Sequence, residues 1–280
     1  MRLKFWDDTF LGLKKSFASL GFFRRVLFPI ARQLDFRFTW KHDITGRPFS
    51  LLTWSHKGYW FYGADREKDE IDGFRRHIAE GDRVLEIGGH IGYVTQVFED
   101  LVGENGQVCV VEPTLQSRLF LERNVGKKTR VLPYAVSNAS GTVTLYTERF
   151  GGFTNSIVRE FIEESVTTLN ESQSANRHDI EGVRVEAITL DALCEGQDFQ
   201  PDFLKIDIEG AELLALQGGS KMLGKLKAAM IEISRDAEET MALMQGLGFA
   251  AYRPDGSALK PGETVLGNVF FVRETLIRTQ

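Results

Sequence analysis

Five acidic residues stand at or near the ends of apolar runs. Glu86 is the penultimate residue of "RVLEI", Glu112 closes "VCVVE", Asp207 and Glu209 follow "LKI", and Glu232 lies in "MIEIS". An ionised carboxylate is an acceptor-only group, so at such places it can bind hydroxyls, face a cation, or take a proton from a reacting group. Between the first two lies "GGHIG", residues 88–92, a glycine turn separating a strand-like run from a helix-like one. Gly88 lets the backbone turn and approach a ligand without a Cβ in the way, and Gly92 lets the helix begin close to the strand. The spacing is acid-x-Gly-x-x-x-Gly. The dinucleotide spacing G-x-G-x-x-G would need a glycine at His90 or Ile91, and neither is one. His90 is tolerable in a tight turn because histidine is among the non-glycine residues enriched in left-handed conformations.

The acids decide between ligands. Glu86 would repel a pyrophosphate, but would attract the ammonium of an amino-acid-like cofactor, directly or through water. S-adenosylmethionine carries that ammonium and no phosphate. Glu112 can accept two hydrogen bonds from ribose hydroxyls. Nicotinamide-dinucleotide sites use the same device, so the two acids together, and not Glu112 alone, favour S-adenosylmethionine. Tyr134 and Ala135 end the next strand-like run, where an adenine would lie. Methyl transfer from such a cofactor is an in-line displacement that needs alignment, exclusion of water, and a group to take the proton of an attacking hydroxyl. Asp207 or Glu209 is the expected base or acceptor-orienting group, with Glu232 nearby. Lys205, inside an apolar strand, is costly unless paired with one of these acids. Glu212 opens the following helix, where acids are favoured by the helix dipole. A divalent cation held by Asp207, Glu209 and Glu232 is a subordinate reading. "RFGGFTNSI" (149–157) is a candidate lining for the acceptor pocket, and His178 an outside candidate for the base.

These residues need a particular scaffold. From residue 70 onward, strand-like and helix-like runs alternate: "EIDGFRRHIAEG", "RVLEI", "GYVTQVFEDLVG", "GQVCVVEP", "TLQSRLFLERNVG", "RVLPYAVS", "PDFLKIDIEG", "AELLALQGGSKML", "AAMIEIS" and "AEETMALMQGLG". Such alternation implies right-handed crossovers and a mainly parallel sheet. "GTVTLYT" and "VRVEAITLDAL" add two β-rich runs, and "FAAYRPDG" and "NVFFVRE" a closing pair. In an open sheet of this kind ligands bind at the carboxyl ends of the strands, near the point where strand order reverses. The polar run 164–179 interrupts the alternation and reads as a mobile loop or a substrate lid. "FSLLTWSHKGYWFYG" (49–63), with Gly58 between β-prone runs, reads as a hairpin or irregular strands.

The chain has 280 residues, 42% hydrophobic and 26% charged, which suits one generous α/β domain or a domain with an added segment. No apolar run is long enough to cross a bilayer, and no secretory signal is evident. Cys109 and Cys194 are too few for a disulfide framework, and Cys109 reads as a buried thiol; a reducing cytoplasm fits this usage. The net charge of −5 hides an asymmetry: residues 1–40 hold eight Lys/Arg against three Asp/Glu, and the remainder carries −10. The acidic body argues against bulk nucleic-acid binding. The basic, aromatic stretch 10–34 has helical spacing and suits packing on the domain, a homo-oligomer contact, or peripheral attachment to a membrane.

The ordered motifs resemble those of the FkbM family of S-adenosylmethionine-dependent methyltransferases over about residues 70–275. "LEIGGHIGY" is similar to the family loop D-x-G-A-N-x-G-Y, with Glu86 for Asp and His90 for Asn. "VVEP" resembles its F-E-P block, "RNV" its L-x-x-N with Asn124, "AVSNASGTVTLY" its A-v-S-x-x-x-G run, "TLDAL" its T-L-D, and "LKIDIEGAELLALQGG" its K-I-D-x-E-G-x-E. The resemblance implies a class I, Rossmann-like seven-stranded sheet with helices on both faces over residues 66–280, after an N-terminal extension (1–65). It also implies O-methylation of a hydroxyl on a sugar, glycan or polyketide-like metabolite. Carried onto this chain, the cofactor motifs comprise Glu86, Gly88, Gly89, His90, Gly92, Tyr93, Glu112, Pro113 and Asp207. A scaffold protein that keeps the fold without catalysis is the main alternative, and an NAD-dependent oxidoreductase a weaker one.

Overall fold

A computed structural model describes residues 35–63, 67–148, 155–164, 180–260 and 262–277. The basic stretch 10–34, His178 and nearly all of the polar run 164–179 lie outside the described residues, as do residues 149–154 of the glycine-containing segment.

Seven strands form the main sheet. They are β3 (Arg83–Ile87), β4 (Gln107–Val111), β5 (Arg130–Leu132), β9 (Phe203–Ile206), β10 (Ala228–Ile233), β11 (Phe249–Tyr252) and β12 (Gly267–Arg273). Their spatial order is β11-β12-β10-β9-β3-β4-β5. All neighbouring pairs are parallel except those of β12, which runs antiparallel to both β10 and β11. The chain moves from β3 outward to β4 and β5, then returns to β9 on the other side of β3 and proceeds to β10. Strand order therefore reverses between β3 and β9, and the crevice opens at their carboxyl ends.

Alternate residues of the central strands fill two cores, as burial on both faces of a parallel sheet requires. On one face Leu85, Ile87, Leu204, Ile206 and Ile231 pack under α5 (Leu190–Gln197), α6 (Glu212–Gln217), α7 (Ser220–Leu223) and α8 (Ala237–Gly246). On the other, Val84, Phe203, Met230 and Phe270 pack against α2 (Lys68–His77) and α3 (Tyr93–Val102). Phe74 centres this second core, with ring centroids 4.8 Å from Phe98 and 5.9 Å from Phe203. A further helix, α4 (Leu115–Asn124), links β4 to β5.

Three expectations are corrected. "RVLPYAVS" is not one strand: β5 ends before Pro133, and β6 (Ala135–Val136) joins a separate sheet with β7 (Gly141–Glu148) and β8 (Ile180–Ile188). Proline cannot donate to a ladder, and the break falls there. "AELLALQGGSKML" forms two helices, since Gly218 and Gly219 close α6 before α7 begins. Residues 49–63 are only half β. β1 (Arg37–Lys41) and β2 (Pro48–Leu52) do form an antiparallel hairpin, but Lys57–Tyr62 is a helix, α1, and Gly58 lies within it. The turn before it is set by Asp35, whose carboxylate accepts the backbone N–H groups of Trp54 and Ser55. Burial of Tyr59 against Phe49 and Tyr93 then overrides the β preference of the aromatic residues.

Candidate active site

A cavity of about 560 Å³ opens at the reversal point between β3 and β9. Four adjacent strands each bring an acid to it: Glu112 follows β4, Glu86 lies in β3, Asp207 follows β9, and Glu232 lies in β10. Glu209 and two acids from the α2 side, Glu67 and Glu70, also line it.

The glycine loop is fitted to its neighbours. Gly88 and Gly92 both have φ of +87°, and His90 has φ of +46°. A Cβ on Gly88 would stand 1.9 Å from the carbonyl oxygen of Asp207. The requirement for glycine thus comes first from the close approach of the β3 and β9 ends, ahead of any ligand. At Gly92 the same atom would meet Leu121 of α4 at 2.9 Å, and Gly92 itself forms the start of α3. His90 donates its backbone N–H to Glu112 Oε2 at 2.9 Å, while Thr114 donates its own to Oε1 at 2.8 Å. The Thr114 side chain hydrogen-bonds Glu112 as well, so this carboxylate is oriented by its neighbours and keeps acceptor capacity for a hydroxyl. Burial pushes its pKa up to about 7, against the pull of those N–H groups.

The centre is electrostatic. Glu86 and Lys205 face each other in register on β3 and β9. Lys205 is only 4% exposed; its Nζ lies 2.9 Å from Asp207 Oδ2 and 3.9 Å from Glu86 Oε1. The Thr95 hydroxyl donates to Glu86 Oε2 at 2.6 Å. Burial opposes the charge on both Lys205 and Asp207, but their attraction prevails: the lysine is held above its usual range and the aspartate below its own. Burial raises Glu86 to about 7 despite Lys205. Glu232 is raised to about 9, first by the charge of Asp207 and then by burial, and shares a hydrogen bond with it. At neutral pH Glu232 therefore carries the proton between the two carboxyls. Glu209, with φ of +54°, is raised to about 8 by burial and then by Asp207 and Glu212. Buried Glu212 secures this turn by accepting the Gly210 N–H at 2.9 Å, and the Ser156 hydroxyl donates to the Glu209 carbonyl at 2.6 Å.

The residues expected from sequence divide cleanly. Glu86, Gly88, Gly89, His90, Tyr93, Glu112, Pro113, Ala135, Asp207, Glu209 and Glu232 line the cavity, joined by Asn155, Ser156 and Ile157 from the 149–157 segment. Gly92 shapes the loop without lining the cavity, and Tyr134 packs against the main core instead. Among the described residues no group of three or more His, Cys, Asp or Glu side chains is disposed to hold a metal ion. Cys109 is buried, and burial raises its thiol to about 11, as expected of a structural cysteine.

Sequence reasoning missed the wall contributed by residues 35–63. Phe49, Leu51 and Tyr59 share one apolar cluster with Ile91 and Tyr93 of the loop. Asn124 ties the pieces together: its amide donates to the Ile91 and Ser50 carbonyls at 2.7 and 2.9 Å, and its Oδ1 accepts the Ser50 N–H at 2.6 Å. Asp191 in "TLDAL" is likewise structural, accepting the backbone N–H groups of Lys221 and Met222 at the start of α7.

Solved structures to which the chain shows a distant similarity include several methyltransferases. A SAM-dependent methyltransferase from Aquifex aeolicus is 13% identical, over 78% of this chain and 98% of that one, at a TM-score of 0.40. Fibrillarin of Aeropyrum pernix, solved with natively bound S-adenosyl-L-methionine, is 14% identical over 70% and 68%, at 0.37. A SAM-dependent O-methyltransferase of Thermotoga maritima is 14% identical over 74% and 64%, at 0.39. Likeness at this level does not reach what the chain acts on. No curated protein matches it. The family profile described as the methyltransferase FkbM domain matches residues 86–251, more than half of the sequence and all four strand-end acids. The chain therefore belongs to the FkbM methyltransferase domain family.

Proposed function

We propose that this protein is an S-adenosylmethionine-dependent O-methyltransferase whose acceptor is a hydroxyl of a sugar, glycan or polyketide-like metabolite. The observation that carries the reading is the row of acids along four adjacent strand ends, one of them oriented by main-chain N–H groups. Glu112 would hold ribose hydroxyls, and Ala135 and Pro113 would line the adenine side. Glu86 and Asp207 would face the amino-acid end and the positively charged sulfur. The bound cofactor supplies an electrophilic methyl group.

The chain's own residues supply alignment and proton removal. An effective base has a pKa near the working pH, and Glu209, at about 8, meets this better than Asp207, which Lys205 holds low. Glu209 would accept the proton of the attacking hydroxyl. Asp207, fixed by Lys205 and by the proton on Glu232, would remain a constant negative charge. Glu67 and Glu70, which also line the cavity, disfavour a phosphorylated or nucleic-acid acceptor and suit one rich in hydroxyl donors.

The test is transfer of a labelled methyl group from S-adenosylmethionine to a panel of hydroxylated sugars, glycans and polyketide-like compounds, with RNA and amines alongside. Label in a hydroxyl acceptor, reduced at least about a hundredfold in Glu209→Gln, supports the assignment. Label only in RNA or amines, or full turnover in an Asp207→Asn, Glu209→Gln double variant, would overturn it.

A further inference from the structure

We propose that Tyr59 is a positioning residue for the cofactor loop, acting through His90 to set the carboxylate of Glu112. The inference rests on the reading of the cavity as an S-adenosylmethionine site. Its own basis is a continuous chain of contacts that begins outside the family-matched segment. The Tyr59 hydroxyl lies 2.9 Å from His90 Nδ1, and the two rings stack at 24° with centroids 6.0 Å apart. His90 sits at φ +46°, a left-handed conformation that histidine can adopt but that carries a cost its surroundings must offset. From that conformation its N–H reaches Glu112 Oε2.

The support behind Tyr59 is rigid. Tyr59 is 7% exposed, with its ring against Phe49 and Tyr93 at 6.0 and 5.0 Å. His56 packs T-shaped with His90, ring centroids 5.6 Å apart, and the Nδ1 of His56 is occupied by the Leu52 N–H at 3.0 Å. Burial keeps His56 neutral, with a pKa lowered to about 3, so it adds no charge beside the loop. The hydroxyl and the two rings that meet His90 thus come from one short segment, residues 56–59. A one-residue glycine or asparagine turn needs no such support, because both enter the left-handed region at low cost. Histidine needs a partner for its ring, and α1 provides one.

The experiment is a double-mutant cycle read by two independent methods. Calorimetric titration with S-adenosylmethionine is run on the unmodified protein, Tyr59→Phe, His90→Asn and the double variant. Exchange of the backbone N–H at position 90 with solvent is followed in the same four proteins without ligand. Tyr59→Phe keeps the ring and its packing, so thermal unfolding close to that of the parent is expected. The proposal predicts about tenfold weaker binding in Tyr59→Phe, faster exchange at position 90, and less than about a twofold effect of the same change in the His90→Asn background. Equal effects in both backgrounds, or none in either, would overturn it. Should the parent protein fail to bind S-adenosylmethionine, the cofactor reading falls by itself. The exchange data then decide the positioning claim alone, upheld by acceleration that depends on His90 and refuted by its absence.

Discussion

The two walls of the cavity keep their shape by opposite means. Toward residues 35–63 the wall is built mainly from packed aromatic rings, with Lys57 at its cavity edge: His42 stacks on Tyr93 at 4.0 Å, its Nδ1 accepts the N–H groups of Ile44 and Thr45, and its Nε2 meets the Tyr93 carbonyl at 3.0 Å. Burial lowers His42 to about 4 and His56 to about 3, so both are neutral. Toward β9 and β10 the wall is held by Lys205 and by carboxyls that retain protons. The first wall fixes geometry, and the second holds the charge that chemistry needs. Their responses to pH also differ in sign. A histidine with a depressed folded pKa costs stability as pH falls from about 6.5 toward 4, because the unfolded chain takes up protons first. An acid with a raised folded pKa costs stability as pH rises from about 4.5 toward its folded value, because the unfolded chain releases protons first.

Removing the central charge should have the largest effect. Lys205→Met leaves Asp207 and Glu86 without their counter-ion, and a loss of roughly 3–5 kcal/mol is expected in urea denaturation at about pH 7. Adding Glu86→Gln and Asp207→Asn should recover much of it. Failure to recover would mean that packing, and not charge, holds this wall. Gly88→Ala follows, since its Cβ would collide with the Asp207 carbonyl and its φ is unfavourable; a loss of about 2–4 kcal/mol is expected. On the aromatic side, Asn124→Ala strands the Ile91 carbonyl and both polar groups of Ser50, at about 1–3 kcal/mol. This loss should be nearly the same at about pH 6 and pH 9, unlike that of Lys205→Met.

Two smaller effects sharpen the contrast. All four tryptophans lie in residues 1–63, so their fluorescence reports on the N-terminal region while circular dichroism reports on the sheet. On acidification from about pH 6.5 to 4 the fluorescence change should precede the loss of ellipticity; coincident transitions would contradict a separately titrating wall. Glu232→Gln should be the mildest change. It mimics a carboxyl already protonated at neutral pH, so stability there should shift by under about 1 kcal/mol, while the loss seen in the parent on approaching about pH 9 should shrink.

The contrast also explains what the sequence disclosed. The charged wall was legible because each acid stands at or next to the carboxyl end of an apolar strand, where a carboxylate has no packing reason to be. The order Glu86, Glu112, Asp207, Glu232 followed from the alternation of strands and helices. The pairing of Lys205 followed from the cost of a lone lysine in an apolar run. The aromatic wall was not legible, because Phe49, Tyr59 and His56 have ordinary core composition and their partners in the loop stand about 30 or more residues away. The β preference of "YWFY" also pointed to a strand where burial of Tyr59 makes a helix. Tyr134 was misplaced for a related reason: Pro133 moves it out of the main sheet, a shift that only the tertiary pairing of β6 with β8 reveals. Gly88 stands out in the sequence as a turn glycine beside a ligand, whereas the neighbour it makes room for in the fold is the Asp207 carbonyl.

The central claim is that the row of strand-end acids forms an S-adenosylmethionine site. Isothermal titration of the full chain with S-adenosylmethionine, NAD and NADP in parallel, repeated on Glu112→Gln, tests it most directly. The account predicts binding of S-adenosylmethionine alone, weakened at least about tenfold in the variant. Binding of NAD or NADP, or S-adenosylmethionine affinity unchanged by loss of the Glu112 carboxylate, would contradict it.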